Sequence, residues 1–150
     1  MIPSDFLDLA RTLTAKDGAA RCRTGISRAY YAAYHSALEL CEERLEVRVL
    51  GKSEKHSNTS LCLRHSGDDA ARIIAKLLDD LYQKRVWADY RLDRTDVESA
   101  KTARYYVDMA ERALRELHQL TDEPDRLGNM RAAMLDARAL KGKVAALGTG

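Results

Sequence analysis

No proline interrupts this chain between Pro3 and Pro124, and that constrains its fold more than any other feature. Proline removes a backbone donor and clashes with the preceding turn, so a long proline-free stretch leaves helices room to run. Within it, apolar residues recur at helical spacing, with no strand-like alternation and no internal repeat. At 150 residues the chain can build one domain with a proper core and falls short of two.

The pattern predicts five helical pieces. The first spans Asp5 to Ala15, capped by Ser4, with Phe6, Leu9, Ala10 and Leu13 as its stripe. The second runs from Ala19 to Leu45 and buries Ile26, Tyr30, Ala33, Ala37, Leu40 and Cys41. Residues 48–66 read as a loop with room for a short helical turn. A third helix opens at Gly67-Asp68-Asp69 on the stripe Ala70, Ile73, Ile74, Leu77, Leu78 and Leu81, followed by a connector at Arg85 to Arg91. Thr95 and Glu98 form a T-x-x-E capping box for a fourth helix ending near Leu120. A fifth piece covers roughly Leu127 to Leu140 before a frayed Gly-Thr-Gly end. The expected fold is an all-α antiparallel bundle of four to five helices over residues 1–123, with a helical extension and tail over 124–150.

Net charge is only +2, so any affinity for nucleic acid has to be local. Arg11, Lys16, Arg21, Arg23 and Arg28 face a single acid, Asp17, between residues 11 and 28. Cys22, Cys41 and Cys62 are odd in number and lack paired spacing, which suits a reducing, cytoplasmic setting. No signal layout or membrane-length apolar run is present. Cys62, His65 and His56 are ligand types without a second well-spaced pair, and no motif asks for a metal or a cofactor. A glycine-rich phosphate loop, a nucleophile elbow and an H-E-x-x-H helix are all missing.

Arg28 and His35 lie seven residues apart in one predicted helix. Seven steps return to within ~20° of the same bearing, so both stand on one face, about 170° from the core stripe. Tyr31, Ala32 and Leu38 flank them, and a helix apolar on a second side buries that side against something. A second copy of the chain is the natural candidate. A guanidinium clamps phosphate oxygens and an imidazole carries protons near neutrality, which together suit phosphodiester chemistry.

The run Ser27-Arg28-Ala29-Tyr30-Tyr31-Ala32-Ala33-Tyr34-His35 closely resembles the long-helix motif of HEPN domains, small all-helical proteins of prokaryotic toxin–antitoxin and defence systems. Their recurring element is an Arg and a His separated by four to six residues. Arg85-Val86-Trp87-Ala88-Asp89-Tyr90 is similar to the R-x-x-A-D-Y element of one branch, and the likeness covers roughly residues 5–120. It implies a homodimer with the Arg/His motifs facing across a two-fold axis, and, in active members, metal-independent RNA cleavage. It also implies a nucleotidyltransferase-type antitoxin as partner. Some such proteins carry a Tyr two residues after the His that the partner modifies; this chain has Ala37 there.

Arg28 and His35 are accordingly the candidate catalytic residues, with Arg21, Arg23 and Tyr31 as candidate RNA contacts. Ser27, Arg85, Asp89 and Tyr90 are candidate supports. Other roles stay open: His35 as a hydrogen-bonded structural histidine, Arg28 as the partner of Glu39, and Arg85 with Asp89 as an i, i+4 salt bridge. Against the ribonuclease stands a non-catalytic module that binds a nucleotidyltransferase, or a nucleotide or RNA phosphate.

Overall fold

The computed structural model describes residues 1–147, and all regular structure among them is helical. Helix α1 spans Pro3–Thr14, α2 Ala19–Glu39, α3 Lys55–Arg64, α4 Asp69–Tyr90, α5 Ala100–Leu120 and α6 Pro124–Leu147. None is long and apolar enough to cross a membrane. Helix α2 is central, touching α1, α3, α4 and α5. Its stripe is buried as expected, from Ile26 and Tyr30 through Ala33 and Ala37 to Leu40 and Cys41.

Helix α1 begins earlier than the sequence suggested. Pro3 occupies the first turn, where a missing N–H costs nothing, and the Asp5 carboxylate accepts the Ile2 N–H at 2.9 Å. Ser4 therefore sits inside the helix, and Ile2, not Ser4, is the capping position. Leu7 and Thr14 join Ala10 in facing the core, while Leu9 is 46% exposed. Gly25 of α2 meets α1 so closely that a Cβ there would run into the Thr14 methyl.

Beyond Glu39 the helix widens into a π turn, Leu40–Arg44. The chain then extends, with Leu45, Val47 and Val49 buried and Glu46, Arg48 and Leu50 exposed between them. The supposed loop over 48–66 contains α3, a full ten-residue helix. Its buried face holds Thr59 and Ser60 beside Leu63, so no apolar stripe announced it. Those hydroxyls are satisfied: Thr59 Oγ1 donates to the Lys55 carbonyl and Ser60 Oγ to the Ala75 carbonyl of α4.

Gly67, at φ +71°, makes the left-handed turn into α4. Asp68 caps that helix by accepting the Ala71 N–H at 2.9 Å, and also accepts two bonds from Arg126 of α6. The Arg85–Tyr90 segment is the last part of α4 and not a connector. On its core side Ala71, Ile74, Ala75, Leu78 and Leu81 are buried, and Ile73 is left 48% exposed. Helix α5 is capped by Ser99, whose Oγ accepts the Thr102 N–H. The expected Thr95/Glu98 box does not form: residues Thr95–Val97 make a 3-10 turn and Glu98 is engaged elsewhere. Met130 and Met134 seat α6 in the main core, so the C-terminal piece is longer than the periodicity indicated. The Gly-Thr-Gly end lies outside the described residues. All three cysteines are free thiols.

Candidate functional site

Five residues of α2, about one and a half turns, separate two arginines with opposite fates. Arg23 is buried, and its guanidinium is fully spent. It pairs with Glu98 at 2.7 Å and donates to the carbonyls of Trp87, Ala88, Arg91 and Arg94. Five rigid donors suit this task of gathering the last carbonyls of α4 and the turn into α5. Arg23 is thus a structural clamp and not an RNA contact. The basic cluster of residues 11–28 is thinned further because Arg11 pairs with Asp8 and Glu111. Arg21 remains exposed, its Nε donating to the Leu13 carbonyl at 3.4 Å.

Arg28 is unspent. Among the described residues it has no carboxylate partner, Glu39 included; its one hydrogen bond is a long 3.4 Å contact to Ser27 Oγ. Its Nε is buried without a partner, a costly state that an arriving acceptor would relieve. The guanidinium lies 5.0 Å from the Tyr31 ring centroid and 5.6 Å from that of Phe6. His35 stacks on the same two residues, 5.7 Å from Phe6 at 13° and 6.0 Å from Tyr31. No hydrogen bond holds its ring among the described residues. Burial pushes the imidazole below its ordinary value, which favours the neutral ring.

Phe6 of α1 thereby takes up part of the apolar side that the sequence left for a second copy, and Ala32 is wholly buried within the chain. Leu38 and Tyr31 stay half-buried around the pair.

The second motif converges on the first. Ser27 Oγ donates to Asp89 Oδ2 at 3.1 Å, and Arg85 Nε lies 2.9 Å from the same carboxylate oxygen. Arg85 also donates to the Tyr31 hydroxyl at 2.9 Å and to that of Tyr90 at 3.3 Å. Asp89 hence fixes Arg85, Arg85 fixes Tyr31, and Tyr31 forms the floor beneath Arg28. The i, i+4 salt bridge of Arg85 with Asp89 is present, and through the Tyr31 hydroxyl it reaches the ring beneath Arg28.

The sequence offers His56 only as a metal-ligand type beside Cys62 and His65, because it stands in the polar run that hides α3. It meets Tyr34 at 4.2 Å between centroids, Tyr31 at 6.2 Å and Tyr82 at 5.8 Å, and its Nδ1 is bonded to the Tyr30 hydroxyl. Tyr34 is also 5.0 Å from His35, so the two histidines flank one tyrosine. Burial, then Arg85 and His35, push His56 below its usual range.

Charge is divided across this surface. Arg28 and Arg85 stand on one side, while His35 opens on the other to a groove lined by Ile2, Phe6, Leu38, Glu39 and Glu43. Glu42, also on that groove, is occupied by Lys55 at 3.0 Å and by the Val49 N–H. Comparison with protein-family models, with curated proteins and with solved structures returns no match to this chain.

Proposed function

We propose that the protein is a metal-independent endoribonuclease of HEPN type, a toxin or defence effector working as a homodimer in the cytoplasm. The observation that carries the reading is the unspent pair: among the described residues Arg28 has no counter-ion and His35 no hydrogen bond, and the two are joined through Phe6 and Tyr31. Natural proteins rarely leave a half-buried cation unpaired except where a ligand completes it.

In the proposed reaction the RNA 2′-oxygen attacks the adjacent phosphorus while the bond to the 5′-oxygen breaks. Neutral His35 of one copy takes the 2′-hydroxyl proton. The symmetry-related His35, holding a proton beside the phosphodiester charge, delivers it to the leaving 5′-oxygen. Arg28 from each copy binds the non-bridging oxygens as charge builds on them. The products are a 2′,3′-cyclic phosphate and a 5′-hydroxyl, and a two-fold axis supplies both histidines.

RNA incubated with EDTA-treated protein should yield fragments ending in cyclic phosphate. His35→Ala and Arg28→Ala should each lower the cleavage rate by roughly 100-fold or more, with far-UV circular dichroism unchanged. Wild-type activity in His35→Ala overturns the assignment. The acidic groove beside His35 favours a second reading, a binding module that receives a basic partner segment such as one from a nucleotidyltransferase antitoxin. RNA retained without cleavage, or partner capture without RNA binding, selects that reading.

A further inference from the structure

Against Tyr30 and Tyr34 of α2, between α3 and α4, lies a pocket of about 240 Å³ whose lining does not include His35. Tyr34, His56 and Tyr82 form its aromatic walls, and Ser57, Arg64 and Asp79 stand among its polar lining. Pockets that hold drug-sized ligands run to roughly 300–1,000 Å³, so this smaller space suits a single ring system and not an extended chain. Tyr82 is 39% exposed although it stacks on His56 at 30° and meets Tyr30 edge-on, which leaves ring surface open to solvent.

The hydrogen bonds define what the pocket offers. The Tyr30 hydroxyl belongs to a residue that is 2% exposed, and His56 Nδ1 is its only partner among the described residues. A buried hydroxyl has a proton to place, so Tyr30 donates and Nδ1 accepts. That fixes the neutral tautomer with its proton on Nε2, a donor with no protein partner among the described residues. Burial pushes the Tyr30 hydroxyl well above its ordinary value, which keeps it a donor across the working pH range. Arg64 and Asp79 pair with each other at the rim, so neither presents an uncompensated charge. Aromatic walls, one fixed imidazole donor and a neutral rim describe a site for a flat, uncharged, polar ring and not for a phosphate.

We infer that this pocket is a nucleobase site, in which a base stacks on Tyr82 and takes a hydrogen bond from His56. Its use for a base flanking the cut phosphodiester rests on the ribonuclease reading; its preference for a planar heterocycle does not. Tyr34 touches both histidines, so a base held here would lie within one side chain of the Arg28–His35 pair. Such a site lends sequence preference to a cleavage centre that by itself reads only phosphate and sugar.

The test uses full-length His35→Ala protein, which separates base binding from chemistry. Adenosine, uridine and inorganic phosphate are titrated while the His56 and Tyr82 ring resonances are followed by NMR. A nucleoside should shift both rings at millimolar concentration, and phosphate should shift neither. Tyr82→Phe should bind as the parent does, whereas Tyr82→Leu, which keeps apolar bulk and loses the ring, should weaken binding by roughly tenfold. Rings unmoved by either nucleoside, or equal affinity in Tyr82→Leu, overturn the pocket, even if the wild type cleaves RNA. Nucleoside binding in a protein that cuts no RNA upholds the pocket and removes only the ribonuclease.

Discussion

Arg23 and Arg28 have the same side chain, five residues apart, and the structure puts them to opposite uses. Arg23 ends among carbonyls and a carboxylate; Arg28 ends over aromatic faces. Their sequence neighbourhoods do not distinguish them, because the partners of Arg23 are some 64 to 75 residues distant. Spacing alone puts Arg28 and His35 on one helix face, since seven residues make about two turns, but it is the resemblance to HEPN domains that singles the pair out for chemistry. His56 could not be placed this way, for its neighbours come from α2 and α4. Both histidines carry a pH signature. The folded state holds them below the ordinary value, so beneath pH about 6.5 the unfolded chain binds more protons and gains relative stability. The melting temperature should hold level from pH 8 to about 6.5 and decline below it. His35→Gln with His56→Gln should postpone the decline to the carboxylate range; an unchanged profile would refute the assignment of these two groups.

Among the elements, α2 and α5 were the most legible, because each has a buried side built of small and aliphatic residues in helical register. Helix α3 was opaque for the opposite reason: Thr59 and Ser60 face inward with their hydroxyls satisfied by carbonyls, so burial there is polar. The capping box at Thr95 failed because Arg23 claims Glu98, a tertiary contact that local pattern cannot foresee. The contact of α1 with α2 depends on an atom that is absent. Gly25→Ala should cost about 1–3 kcal/mol in urea unfolding, since the Thr14 methyl is fixed by its hydroxyl bond to the Ala10 carbonyl. Thr14→Ser, which removes that methyl, should return most of the loss in the double variant. A neutral Gly25→Ala would mean that the two helices separate without penalty.

At the scale of the whole molecule, the proposed chemistry needs two copies, whereas one chain already seals part of the motif face with Phe6. What remains open around His35 is Leu38, Tyr31 and the groove beside them. Light scattering should give twice the 16.8 kDa chain mass. Leu38→Glu should halve that mass and abolish cleavage while the circular dichroism stays helical. Cleavage by a single-chain species would end the two-fold mechanism. The π turn at Leu40–Arg44 has a consequence of its own. Glu42, which that turn presents, grips both Lys55 at the start of α3 and the strand-like chain before it. The spacing of the two imidazoles is therefore gauged by backbone length between them. Loss of one residue from the turn would swing Glu42 by about 100° and set α3 adrift. Along this stretch the number of residues matters beside the identity of Glu42, because both set where its carboxylate falls.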